Sequence, residues 1–236
     1  MRVLVTGGLG TVGAGLINDL RHRGHHVVSC DIQHQPDEIG FSLRTDVELP
    51  LYARCDVGEF RQLERVFDHC GPFDYVYHCA AEFGRWNGED FYETLWRTNA
   101  IGTKNVIRLQ ERLKFRLIHF SSSEVYGDYP DLMVETVMDE YEIKQLNDYA
   151  MTKWVNEMQI RNSSLQYGTE SVVVRRSDEN QPSSSGNTAA EIGSPRVLHA
   201  LLFERRHRAE RGSPSDVSRP SIHRDQFAEG RICTRN

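Results

Sequence analysis

Gly7, Gly10 and Gly13 recur at a spacing of three directly after Arg2 to Thr6, a short apolar run of the kind a buried parallel strand needs. An amphipathic stretch, Ala14 to Arg23, follows at once. Strand, glycine turn and helix in that order suit a pyrophosphate. Gly7 allows the tight turn, Gly10 lets the backbone approach the phosphates, and Gly13 lets the helix pack on the strand. The helix N-terminus then offers free N–H groups and the positive end of its dipole to the anion.

The chain goes on alternating strand and helix patterns. Strands are expected at His26 to Asp31, Leu51 to Asp56, Phe73 to Cys79, Phe115 to Ser122 and Ser171 to Arg175. Helices are expected at Glu59 to His69, Glu89 to Gln110 and Asn147 to Tyr167. Gln33 to Pro50 reads as loop. This rhythm predicts an α/β fold, a Rossmann-type doubly wound parallel sheet with its ligand on the rim of strand C-termini. Asp31 ends the second strand, 18 positions beyond Gly13. A carboxylate there accepts ribose hydroxyls and repels a 2′-phosphate, which favours NAD over NADP.

Two later segments carry reactive groups. Ser121-Ser122-Ser123-Glu124-Val125-Tyr126-Gly127 follows the fifth strand, and Tyr149-Ala150-Met151-Thr152-Lys153 starts the next helix. Four residues is about one helical turn, so Tyr149 and Lys153 share a face. A nearby ammonium lowers a phenol from about 10 toward working pH and makes it a general base. Ser122 offers a hydroxyl to the same substrate oxygen. His78 ends the fourth strand and reads either as a base or, by the usual fate of a lone strand-end histidine, as structural.

Other function classes find little support. The net charge of −6 gives no electrostatic footprint for nucleic acid. No apolar run approaches the ~18 residues of a membrane span. The odd set Cys30, Cys55, Cys70, Cys79 and Cys233 has no CxxC spacing, so reduced thiols, a cytoplasmic location and no metal site are expected.

Met1 to Arg175 resembles the NAD-dependent epimerase/dehydratase family of extended short-chain dehydrogenase/reductases, which modify nucleotide sugars. The resemblance rests on Thr6 to Gly13, Asp31, Cys55 to Val57, His78 to Ala81, Asn99 to Gly102, Ser121 to Gly127 and Tyr149 to Lys153. It implies that Gly7, Gly10, Thr11 and Val12 hold the pyrophosphate and Asp31 the adenosine ribose. Asp56 and Val57 would flank the adenine, and Ala80 and Ala81 would line the dinucleotide. It implies that Tyr149 removes a proton from a sugar hydroxyl, usually at C4, as hydride leaves that carbon. Lys153 would lower the Tyr149 pKa and bind the nicotinamide ribose, bringing both residues against the cofactor. Ser122 would be the catalytic hydroxyl. The common intermediate is a 4-keto sugar. The Ser123-Glu124 pair before Val125-Tyr126-Gly127 resembles UDP-glucuronate decarboxylases, where 4,6-dehydratases have Asp-Glu and plain 4-epimerases often a small neutral residue in place of Glu124, and Glu124 equally fits a structural loop carboxylate. The loop Glu82 to Gly88, with Arg85, would shape the sugar pocket. Relatives commonly form homodimers through the helices at Glu89 to Gln110 and Asn147 to Tyr167.

The pattern changes at Arg176. From there to Asn236 the chain is rich in Arg, Ser and Pro, has no Lys, and has only Phe203 and Phe227 as aromatics. So few apolar anchors predict a low-order tail over 176–236, set against an NAD-binding domain over 1–175. Val197 to Arg211 could form a short amphipathic helix. The family's Asn-x-Tyr-Gly-Pro-like segment and substrate lobe are expected here and do not appear. An out-of-frame reading of a normal gene would explain this, and the other two frames would reveal it. The alternative to an active enzyme is an NAD-binding remnant or regulatory protein without turnover.

Overall fold

The computed structural model describes residues 1–34, 51–83 and 91–176. The expected sugar-pocket residue Arg85, most of the Gln33 to Pro50 loop and everything expected of 177–236 lie outside them.

Six strands form one sheet: β1 (Arg2–Thr6), β2 (His26–Asp31), β3 (Leu51–Arg54), β4 (Tyr75–His78), β5 (Arg116–Ser122) and β6 (Ser171–Arg176). Their order is β3-β2-β1-β4-β5-β6, and every neighbouring pair is parallel. This is the doubly wound order whose direction reverses between β1 and β4, where a crevice opens beyond the strand C-termini.

The helices are α1 (Thr11–His22), α2 (Phe60–Cys70), α3 (Tyr92–Trp96), α4 (Gly102–Leu113), α5 (Val137–Glu140) and α6 (Asp148–Tyr167). Strand alternation sends Leu4, Val28, Val76 and Leu117 to one face of the sheet. There they pack with Leu63, Val66 and Phe67 of α2, Val106, Ile107 and Leu109 of α4, and Ile160 of α6. Leu4, Leu63, Val106 and Leu117 are fully buried, and each such side chain contributes about 1.5–3 kcal/mol by leaving water. Helix α1, with Ile17 and Leu20 buried, packs on β1 and β2 outside that cluster.

The long helix expected from Glu89 is interrupted. A π-helical turn at Arg97–Ile101, with Asn99 and Ala100 buried in it, joins α3 to α4. A 3-10 turn (Ser123–Tyr126) follows β5, and α5 adds a small cluster of Val125, Tyr126 and Val137. Among the described residues no helix is long and apolar enough to cross a membrane, no group of side chains could hold a metal, and Cys30, Cys55, Cys70 and Cys79 are free thiols.

Candidate active site

The glycine turn is defined by steric exclusion. Gly7 has φ 69°, and a Cβ there would stand 2.6 Å from the backbone nitrogen of Ala80. A Cβ on Gly13 would stand 2.1 Å from the Gly7 carbonyl oxygen. Gly10 is less crowded, its nearest neighbour being the Gly7 oxygen at 3.3 Å. Gly10 is also the N-cap of α1 and supplies no side-chain cap, and the first turn of α1 has no acidic residue. The positive end of the helix, with Thr11 and Val12 leading, therefore carries no carboxylate of its own in the first turn.

Asp31 closes the next position along the rim. Its carboxylate accepts from the Leu9 N–H at 3.0 Å and the Gln33 N–H at 3.1 Å, one on each oxygen. That fixes its orientation and leaves lone pairs for two ribose hydroxyls. Beyond β3, Asp56 accepts from the Gly58 N–H at 2.8 Å and pairs with Arg97 at 3.2 Å. Val57 is buried against Gly102, and the Asn105 amide donates to its carbonyl at 2.9 Å. After β4 Ala80 is half-buried and Ala81 exposed, and the Ala80 N–H donates to Thr6 Oγ1 at 3.3 Å.

The far side of the crevice is built from α6 and the end of β5. Lys153 is only 4% exposed, and its ammonium donates to the Phe120 carbonyl at 2.9 Å. It stands 5.6 Å from the Tyr149 ring centroid. Burial pushes the ammonium down to about 8, against the opposing pull of Cys79 and Glu157. The Tyr149 ring also meets Phe83, centroid to centroid at 6.0 Å, so α6 reaches the chain that leaves β4. Ser122 ends β5, and its hydroxyl caps the 3-10 turn by accepting from the Glu124 N–H at 3.1 Å.

Asn147 joins these parts in a way the sequence reading missed. Its carbonyl oxygen caps α6 by accepting from the Ala150 N–H at 2.7 Å, while its amide donates to Glu124 Oε2 at 2.8 Å. Glu124 is thus held at the positive end of α6 by Asn147, which lies two residues before Tyr149. An Asn ahead of a helical pattern was the available signal for the cap, but nothing in the spacing pointed to Glu124.

Asn99 was visible only as part of a pattern. It is 1% exposed, accepts from the Glu82 N–H at 2.8 Å, and donates to the Glu82 carbonyl at 3.2 Å and to Thr152 Oγ1 at 3.1 Å. It ties the segment after β4 to α6. His78 is placed as a structural residue. It is 1% exposed and bonded to Thr6 Oγ1 at 2.7 Å and Thr103 Oγ1 at 3.1 Å. Burial, then Lys153, push it down to about 3, so it stays neutral.

The family model for the NAD dependent epimerase/dehydratase family matches residues 3–190. The chain belongs to this family. Similar members include UDP-glucuronic acid decarboxylase 1 of Danio rerio, 34% identical over 137 residues, or 54% of this chain and 28% of that protein. The dTDP-glucose 4,6-dehydratase of Mycobacterium tuberculosis is 28% identical over 187 residues, 77% of this chain and 54% of its own length. The solved UDP-glucose 4-epimerase of Thermus thermophilus, in complex with NAD, superposes with a TM-score of 0.62 at 25% identity, covering 74% of this chain and 54% of that one. The chain thus spans 28% to 54% of the length of these relatives.

Membership of an NAD-dependent family makes a physical demand, and the crevice meets it. A diphosphate needs close backbone approach, which the two positions that exclude a Cβ provide. It also needs a helix N-terminus with no acid in its own first turn, which α1 provides. An NAD ribose needs a fixed carboxylate, and Asp31 is fixed by two N–H donors.

Proposed function

We propose that this chain carries the NAD-binding and acid–base parts of a nucleotide-sugar enzyme working through a 4-keto sugar. The observation that carries this reading is the buried Lys153 ammonium, one helical turn from Tyr149 and bonded to the strand that ends in Ser122. Bound NAD supplies the hydride acceptor. Gly7, Gly10, Thr11 and Val12 hold its diphosphate, Asp31 its adenosine ribose, and Lys153 its nicotinamide ribose. Asp56, Val57, Ala80 and Ala81 line its path.

Tyr149 takes the proton from the sugar C4 hydroxyl as hydride leaves that carbon. The Lys153 ammonium favours the phenolate that does this, by opposite charge at short range. Ser122 donates to the developing carbonyl oxygen. A ketone at C4 acidifies the neighbouring C–H, and Glu124, whose carboxylate accepts from the Asn147 amide, acts as base or proton relay on this reading. That arrangement supports a 4,6-dehydratase or decarboxylase type of outcome over plain 4-epimerisation.

The substrate is a nucleotide sugar, the assembly a homodimer through α4 and α6, and the location cytoplasmic. Incubation with NAD and each of UDP-glucuronate, dTDP-glucose and UDP-glucose, followed by mass spectrometry, tests the reading. A 4-keto sugar or its decarboxylated product supports it, and no conversion of any sugar refutes it. The change of pattern at Arg176 favours a second reading, NAD binding without turnover. NADH binding together with unchanged sugars would select that reading.

A further inference from the structure

Behind Lys153 lies a buried charged network that the proposed chemistry does not use. Glu157 is one turn further along α6 and 9% exposed. Arg175 of β6 holds its carboxylate at both oxygens, Nη2 to Oε2 at 2.8 Å and Nε to Oε1 at 3.1 Å. Ser121 of β5 donates its hydroxyl to Glu157 Oε1 at 2.6 Å. The remaining Arg175 nitrogen donates to the Tyr126 hydroxyl at 2.8 Å and the Glu135 carbonyl at 3.1 Å. Its guanidinium carbon lies 4.9 Å from the Tyr126 ring centroid. Five separate pieces of chain meet at this pair: α6, β5, β6, the 3-10 turn that carries Glu124, and the segment ahead of α5 that carries Glu135.

We propose that Glu157 and Arg175 are positioning residues that set the Ser122–Glu124 turn in register with Tyr149 and Lys153 and tune the charge on Lys153. The geometry carries the first part. Ser121 precedes Ser122, Tyr126 closes the turn, and both are bonded to a pair rooted in the helix of Tyr149. A bidentate Arg–carboxylate fork fixes orientation as well as distance.

The second part follows from what faces the ammonium. From β4 come His78 and the adjoining Cys79, from β5 His119, and from α6 Tyr149 and Glu157. His78 and His119 are neutral, and burial pushes the Cys79 thiol up to about 12. Among the described residues Glu157 is therefore the nearby anion, and Arg175 decides how much of its field Lys153 feels. This inference rests on the reading of Tyr149 and Lys153 as an acid–base pair.

The chain has four lysines, Lys104, Lys114, Lys144 and Lys153, so ε-13C-lysine labelling of the full chain gives a resolvable NMR titration. Lys153→Gln identifies the resonance. Without substrate or cofactor, Lys153 is expected to titrate at about 8. The isosteric Glu157→Gln should lower that midpoint by about one pH unit, and Arg175→Met should raise it. If Arg175→Met does not fold, Glu157→Gln decides alone. A midpoint unmoved or raised by Glu157→Gln overturns the proposal, even if the variant melts earlier. Because the readout needs no turnover, a chain that converts no sugar still gives a result on this point.

Discussion

At the β1 end of the rim the polypeptide makes room by leaving side chains out, whereas at the β5 end it fills the space with polar side chains bonded to one another. Gly7 and Gly13 sit where any Cβ would strike backbone. Around Lys153, Ser121, Glu157, Arg175 and Asn147 occupy buried or half-buried positions and hold their neighbours by hydrogen bonds. On the proposed reading the first region binds by shape and backbone donors, so its failures should be steric and abrupt. The second would act through protonation, so its failures should be graded and depend on pH.

The largest effect that separates the regions is electrostatic. Burial holds the Lys153 ammonium at about 8, below its ordinary 10.5. Below pH 8 both folded and unfolded chains carry the proton, and the cost of burying it is felt in full. Between pH 8 and 10.5 the unfolded chain binds more protons, so this residue's penalty declines as pH rises, by roughly 3 kcal/mol in all. Lys153→Met should abolish that slope, read as the difference between wild-type and variant unfolding curves across the range. Turnover should run the other way and decline above about pH 8 as the ammonium that supports Tyr149 is lost. A variant with an unchanged slope would dissolve the contrast between the regions.

A steric failure comes next. Gly13→Ala puts a methyl 2.1 Å from the Gly7 carbonyl and 2.9 Å from the Gly8 Cα, neither of which can rotate away. About 2–3 kcal/mol of stability should be lost, a fall of about 4–12 °C in Tm, with NADH binding weakened at every pH. A pH-dependent loss would place the defect in the wrong region.

Asp31→Asn sharpens the comparison from a smaller effect. The amide keeps the size and accepts from one of the two N–H groups, Leu9 or Gln33, but removes the charge that repels a 2′-phosphate. The ratio of NADPH to NADH affinity should rise by about tenfold, measured by fluorescence titration.

The smallest effect distinguishes the two jobs of Asn147. Asn147→Ala removes the cap of α6 and should cost about 1 kcal/mol, whereas Asn147→Ser keeps a capping oxygen and should cost a few tenths. Both free Glu124. Hydrogen–deuterium exchange at the sugar carbon beside the ketone should slow equally in the two, while thermal melting separates them.

The same contrast explains what was legible in the sequence. Gly7, Gly13 and Asp31 act through local geometry, so their spacing announced them, and the six strands fell within a few residues of their places. Tyr149 and Lys153 were legible because one helical turn brings them together. Arg175 and Glu157 were not, because their meeting depends on β6 lying beside β5 beneath α6, a long-range arrangement that leaves no trace in spacing. The π-helical turn at Asn99 was hidden for a related reason: Asn99 faces inward to reach Glu82 and Thr152, which lie 17 and 53 residues away.

The most direct test is a single turnover with protein in excess over a nucleotide sugar, NAD present, and absorbance followed at the wavelength of reduced nicotinamide. Wild-type protein should give a rise that deuterium at C4 slows severalfold. Tyr149→Phe should bind NADH as tightly and give a rise about a thousandfold slower. Equal rises from the two proteins would contradict the assignment of Tyr149 as the base beside the cofactor.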